Sequence, residues 1–276
     1  MMRVKDENDW IEPSVRSIQS IADEIVIVDN GSTDGTLETI QRLMKEGAGN
    51  IELHQIPDLD LCSLSNFALE QTRYHWSFNW DGDMVAHTSG KWDISGLRDR
   101  LLALNPRKYH LIFLRLINLA GDLSHQDPSE MVHIEEYVHT YSESAQFIHP
   151  GRHEAVKFPI YYQPLFWFEP YAFHVNIKPA DRMLSRYFWY EWMEMKEYDK
   201  YPTLEDYVRV GIMDAFGTDS MEEAQGICVA KVCRDFIRFN SKVFGPYPEM
   251  LEPYLENPAY TLLYGDGEII GREERQ

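Results

Sequence analysis

An α/β fold with a mostly parallel sheet flanked by helices, followed by a helical C-terminal extension, is predicted by three features of the sequence. The run Ile25 to Val28 is continuously apolar, as in a strand buried on both faces of a parallel sheet. Strand-like runs alternate with segments of helical period through the first hundred or so residues, the pattern of a doubly wound sheet. From Pro179 onward the composition turns to long stretches of helical period. Residues 1–178 are therefore expected to form one domain, and residues 179–276 a helical extension ending in a hairpin.

Taken in order, Met1 to Val4 reads as the end of a short strand and Lys5 to Asp9 as a charged loop. A helix is expected from about Ile11, with Pro13 tolerated in its first turn and Val15, Ile18 and Ile21 on one face. The strand Ile25 to Val28 ends in Asp29-Asn30-Gly31-Ser32 before a helix beginning near Asp34, whose stripe is Leu37, Ile40, Leu43 and Met44. Ile51 to Ile56 reads as a strand, and Leu61, Leu64, Phe67 and Ala68 mark the next helix. The run Tyr74 to Val85, YHWSFNWDGDMV, reads as a strand halted by Asp81 and Asp83. Ile94 to Leu104 looks helical, Tyr109 to Leu119 is an apolar strand, and Gly121 to Glu130 is a polar loop. Met131 to Ile177 reads as short strands and loops. The helices after Pro179 lead to a turn at Gly265-Asp266-Gly267.

A net charge of −19 repels phosphate backbones, so nucleic acid is not an expected partner, and small molecules or neutral glycans are. Any phosphate bound here needs a metal or local cations against that field. Cys62, Cys228 and Cys233 form no C-x-x-C pair and cannot all pair within one chain, which points to a reduced, cytoplasmic setting. MMRVKDENDW lacks the apolar core of a signal peptide, and no stretch approaches about 18 uninterrupted apolar residues. Peripheral membrane association stays open.

Two carboxylates flanking Gly82 are able to face one hard cation, and Gly82 has no side chain to obstruct a bulky anionic ligand. Mg²⁺ or Mn²⁺ held by one or two carboxylates completes its shell with water and substrate phosphates. The same letters also describe a polar turn after a strand. Asp29 ends a central strand, where open α/β sheets bind ligands; alternatively Asp29 and Ser32 satisfy the backbone donors of their own turn.

VDNGSTDGT, followed about fifty residues later by a strand ending in DGD, resembles the family 2 glycosyltransferases, which have the GT-A, Rossmann-like fold of nucleotide-sugar transferases. The likeness extends through MRVKDENDWIEPSVRSI and through Ser63 to Leu69, where Ser65-Asn66 stands in place of the Arg-Asn pair common in the family. The resemblance implies inverting transfer from a nucleoside diphosphate sugar, of the UDP type, to a hydroxyl of a glycan or other acceptor. It implies Mn²⁺ or Mg²⁺ as cofactor on Asp81 and Asp83, with His174 similar to a late histidine that adds a third ligand. Lys5, Asp29, Asn66 and Asp81 are the implied nucleotide-sugar contacts, and another cation has to replace the arginine absent at Ser65. Gly151-Arg152-His153-Glu154 resembles the acceptor face of the family. Glu154 is the expected catalytic base: it opens an apolar segment in the later half of the chain, whereas the other late acids lie on helix faces or in the polar loop. His153 and His174 also fit histidines packed against backbone, and Arg182 and Arg186 fit either a diphosphate contact or surface charges. A sugar nucleotidyltransferase usually shows a glycine- and basic-rich loop near its first strand, and MMRVKDEND has no glycine. A non-catalytic member that only binds a glycan or partner is the third reading.

Overall fold

The computed structural model describes residues 1–149, 155–195 and 199–275. In chain order the elements are β1 (Met2–Val4), α1 (Ile11–Ile18), β2 (Ile25–Asp29), α2 (Thr36–Glu46), β3 (Ile51–Gln55), α3 (Leu61–Gln71), β4 (Trp76–Phe78), β5 (Met84–Ala86), α4 (Ile94–Leu102), β6 (His110–Ala120), β7 (His125–Gln126) and β8 (Val132–Thr140). There follow β9 (Gln146–Ile148), β10 (Ala155–Lys157), β11 (Gln163–Asn176), α5 (Ala180–Met195), α6 (Leu204–Phe216), α7 (Met221–Cys233), β12 (Ile237–Arg238), α8 (Ser241–Phe244), α9 (Glu252–Glu256), β13 (Tyr260–Gly265) and β14 (Glu268–Glu274). The chain divides into two compact units. The first holds residues 1–117, 132–175 and 240–253, and the second holds 118–131, 176–239 and 254–276.

In the first unit β1, β2 and β3 form a parallel sheet with β2 in the centre. The continuous apolar run of β2 follows from burial on both faces: Ile25 and Ile27 join α1 and α2 through Ile11, Val15, Ile40 and Leu43, while Val26 and Val28 meet Leu64 and Ala68 of α3. α3 starts where Asp60 accepts the Ser63 amide at 3.0 Å, satisfying one of the free donors of its first turn. A second, five-stranded sheet has the order β4-β8-β6-β11-β5.

The α/β class holds, with parallel pairing in β1–β3, whereas β4 with β8, β6 with β8, and β11 with β5 are antiparallel. The connection from β6 to β8, residues 121–131, returns the chain to an adjacent strand without a crossover helix, and a short return gives antiparallel neighbours. The strand expected over 74–85 is also interrupted. β4 ends at Phe78, and β5 begins only at Met84, after a turn closed by the Met84 amide on the Asp81 carbonyl at 3.1 Å.

In the second unit α5, α6 and α7 pack through Leu184, Phe188, Val208, Ile212, Ala224 and Cys228. The hairpin β13–β14 packs on α7 through Leu262 and Ile269 against Val229 and Cys233. Its turn places Asp266 at φ 50° and Gly267 at φ 87°, the left-handed pair that matches the twist of two-residue hairpins.

The core of the five-stranded sheet carries a pH liability. His139 of β8 is fully buried beside Phe158, with Nε2 lacking a partner among the described residues. Burial pushes its pKa down to about 4, with the Thr140 carbonyl opposing. The unfolded chain therefore binds a proton below pH 6.5 that the folded chain refuses, so stability present above that pH is lost as pH falls toward 4. Chemical denaturation is expected to show about 2 kcal/mol less stability at pH 5 than at pH 7.5 from this group. His139→Gln should flatten the dependence; an unchanged slope would assign it elsewhere.

Candidate metal and nucleotide site

The turn between β4 and β5 is held from three sides. The Ser14 hydroxyl of α1 donates to the Asp81 carbonyl at 3.1 Å and accepts from Trp80 Nε1 at 2.9 Å. The Asn79 amide donates to the Tyr137 carbonyl of β8 at 2.7 Å, and the Val175 amide of β11 donates to the Asp83 carbonyl at 2.8 Å. These bonds fix the backbone through atoms other than the two carboxylates. Gly82 is buried, and a Cβ there would stand 3.2 Å from Glu7 Cγ and from Val4 Cγ1. Its missing side chain thus admits the first loop, a correction to the expectation that it clears a path for the ligand.

Asp81, Asp83 and His174 each present one donor atom, and the three atoms lie within 4.8 Å of one another. His174 Nε2 is 3.2 Å from Asp83 Oδ1. β11 delivers the imidazole because its antiparallel register sets His174 opposite Met84, the residue after Asp83. Asp83 is buried, whereas two-fifths of the Asp81 side chain is accessible. Desolvation raises the Asp81 carboxyl above the usual carboxylate range, Arg3 opposes this, and Asp83 adds to it. Two carboxylates forced together, with an imidazole beside them, fit a divalent cation whose charge relieves that repulsion.

Arg3 of β1 reaches the same place. Its Nη1 donates to Ser65 Oγ at 2.8 Å, and its Nη2 lies 3.8 Å from Asp81 Oδ1. A cation therefore stands over Ser65, supplied from another element, where the sequence reading required a replacement. Arg3 and Asp81 line a cleft of about 100 Å³ with Asn79, Glu135 and Tyr137, and Arg3 is the cationic residue among its described walls. His133 Nδ1 is 3.2 Å from Glu135 Oε1, which pulls the Glu135 carboxyl below its ordinary range, and the His133 ring meets His174 edge to face. Burial pushes the Tyr137 hydroxyl pKa upward, and the acids around it add to that. Sequence reasoning missed Arg3, His133, Glu135 and Tyr137. The signal available was the period-two alternation His133, Glu135, Tyr137 along β8, which places polar groups on one face.

Of the remaining expected residues, those that the structure describes have the following surroundings. The Asp29 carboxylate accepts the Gly31 amide at 3.0 Å and the Ser32 amide at 3.2 Å, the turn-satisfying arrangement. Other polar letters of DNGSTDGT lock the first loop: Ser32 Oγ accepts the Asp6 amide, Thr36 Oγ1 the Glu7 amide and Asp34 Oδ2 the Asn8 amide, while Asp6 accepts from Thr33. Asn66 Nδ2 donates to the Phe147 carbonyl at 3.0 Å and its Oδ1 accepts the Phe147 amide at 2.8 Å, so its side chain fastens β9 to α3. Lys5 is exposed immediately past β1. His153 and Glu154 lie outside the described residues. Arg186 donates to Asn176 Oδ1 at 3.0 Å within the second unit. An apolar cleft walled by Ile18, Ile21, Trp76, Leu97 and Leu101 contains none of the candidate ligands.

Among the described residues, no helix is long and apolar enough to cross a membrane. Residues 1–90, which hold β1 to β5 with both aspartates, match the model of the glycosyl transferase family 2. Over 78 residues the chain is 37% identical to the lipopolysaccharide core biosynthesis glycosyltransferase LpsC of Rhizobium meliloti (strain 1021), a match covering 28% of each protein. The crystal structure of S. aureus TarS 1-349 in complex with UDP aligns at a TM-score of 0.45 with 12% identity, over 85% of this chain and 70% of that one. The complex of the same protein with UDP-GlcNAc aligns at 0.43 with 11% identity, over 84% and 70%. The sequence match rests on the segment that builds the parallel sheet and the Asp81-Gly82-Asp83 turn, and over that segment the chain is similar to the family 2 glycosyltransferases.

Proposed function

We propose that the protein moves a sugar from a nucleoside diphosphate donor of the uridine type to the hydroxyl of a glycan or related acceptor, with inversion and with a divalent cation, Mn²⁺ or Mg²⁺. The convergence of Asp81, Asp83 and His174 carries this reading. A cation bound there supplies positive charge to the departing diphosphate. Asp81 and Asp83 hold it by charge, and His174 favours Mn²⁺ over the more strictly oxygen-seeking Mg²⁺. Arg3 offers a second positive group to the same phosphates. The fixed Asp29 turn and the exposed Lys5 border the nucleotide, and Asn66 acts by positioning β9. Glu154 takes the proton of the acceptor hydroxyl. Residues 1–178, apart from 118–131, make up the catalytic domain and 179–276, apart from 240–253, its extension, and the three cysteines, none of them in a disulfide among the described residues, suit a cytoplasmic enzyme.

A panel of nucleotide sugars incubated with protein and Mn²⁺, without acceptor, tests the proposal: slow release of the nucleoside diphosphate from one donor is expected, and it should stop with chelator. A folded protein that hydrolyses none of them and whose melting point none of them raises would refute the donor assignment. Arg3→Ala is expected to weaken UDP about tenfold or more in Mn²⁺, the loss of one hydrogen bond to a charged group. Arg3→Lys should restore part of this affinity. Calorimetric titration decides it, and unaltered UDP affinity in Arg3→Ala would confine Arg3 to its contacts with Ser65 and Asp81.

A further inference from the structure

We propose a second metal site of different chemistry at the N-terminus of α3, formed by Asp60, Cys62 and His149 and selective for a borderline-soft divalent ion, Zn²⁺ by preference. An Asp60 carboxylate oxygen, the Cys62 sulfur and a His149 ring nitrogen lie within 4.8 Å of one another, on residues that belong to two separate segments. The convergence is built into the backbone. Asn66 bonds both the amide and the carbonyl of Phe147, which locks β9 onto α3 and brings His149, the residue after β9, to the first turn that carries Cys62. Asp60 accepts the Ser63 amide on Oδ1 at 3.0 Å and the Ser63 hydroxyl on Oδ2 at 2.5 Å, so the carboxylate is oriented while each oxygen keeps acceptor capacity.

Cys62 also packs with Leu69, Ala145 and Phe147 as a small apolar side chain. Asp60 is placed by its cap on α3, but neither that cap nor the packing of the thiol requires the exposed His149 imidazole to come to the same place. Thiolate, imidazole and carboxylate together are a zinc donor set, with a fourth tetrahedral position left for water. The thiolate is what separates this site from Asp81, Asp83 and His174, whose two carboxylates suit a harder ion. On binding, Cys62 releases its proton to solvent and forms the sulfur–metal bond. The ion would then tie the start of α3 to the end of β9.

The test uses the chelator-stripped full chain, kept in saturating Mg²⁺ and titrated with Co²⁺ as a coloured substitute for Zn²⁺. The expected result is a sulfur-to-cobalt charge-transfer band that saturates at about one equivalent and is bleached by Zn²⁺. Cys62→Ser should abolish the band. His149→Ala, and Asp60→Asn, which keeps the helix cap, should each weaken Co²⁺ by roughly tenfold or more. Asp83→Ala should leave the band intact. Metal-free variants that melt with the wild type show that the fold is preserved; should Cys62→Ser fail to fold, the exposed His149 and Asp60 variants decide the question. Absence of the band in the wild type, or a cobalt affinity unaltered by either of those two substitutions, overturns the proposal and leaves Cys62 a packed thiol.

Discussion

Asp83→Ala is expected to bind UDP no better with Mn²⁺ than without it. Asp83 is a buried carboxylate that faces His174 at 3.2 Å and shares its surroundings with Asp81. Its backbone carbonyl, which accepts from Val175, survives the substitution, and so do the bonds that Ser14 makes to the turn. The loss therefore falls on the ligand set: one of two carboxylates goes, and cation affinity is expected to drop by at least the roughly 10- to 100-fold seen when only an outer-sphere partner of a metal ligand is removed. Without metal the sign on stability is opposite. Two like charges close together disfavour each other, so removing one relieves repulsion on the other. The metal-free variant should melt no lower than the wild type, apart from a small cost in packing. A large fall in its melting point would mean that the carboxylate serves the fold, and unchanged Mn²⁺-dependent UDP binding would remove Asp83 from the metal.

Glu154→Gln should lower transfer by the order of 10²–10⁴ that accompanies loss of a general base, while UDP and Mn²⁺ affinities persist. Glutamine keeps the size and most hydrogen bonds of glutamate and lacks the ability to take a proton. The control is Glu135→Gln. Glu135 is a carboxylate of the cleft, and its pairing with His133 favours the ionised form. That pairing holds the carboxyl below its ordinary range and makes Glu135 a weak base at neutral pH. The account predicts the large loss in Glu154→Gln and a smaller one in Glu135→Gln, measured as transfer to the true acceptor. The reverse ranking would move the base to β8.

The parts of the fold and site that were legible in the sequence are those whose physics is local. β2 shows itself because both of its faces are buried, so every position from Ile25 to Val28 had to be apolar. Asp81 and Asp83 were legible as a pair because polar groups that interrupt an apolar run need a reason. Strand direction was not, since an apolar run carries no mark of its neighbour's orientation, and the antiparallel pairings of β5, β6 and β8 came from connections and register. Partner identity was illegible for the same reason. Asn66 looks like a ligand contact by type, yet its partner is Phe147, 81 residues away. Arg3 lies 62 residues from Ser65 and 78 from Asp81 in sequence, and no local pattern connects them. The assembly of 118–131 with the second unit and 240–253 with the first is equally nonlocal.

Titration calorimetry of the wild-type protein with UDP, once in Mn²⁺ and once in excess chelator, tests the central claim most directly. If Asp81, Asp83 and His174 hold a cation for a diphosphate, UDP binds in Mn²⁺ and its affinity falls by about a hundredfold or more in chelator, close to 3 kcal/mol of binding energy. Equal affinity in the two buffers would contradict the account: the three side chains would then be a charged turn beside a histidine, and the diphosphate would rest on Arg3 and the rest of the chain without the metal.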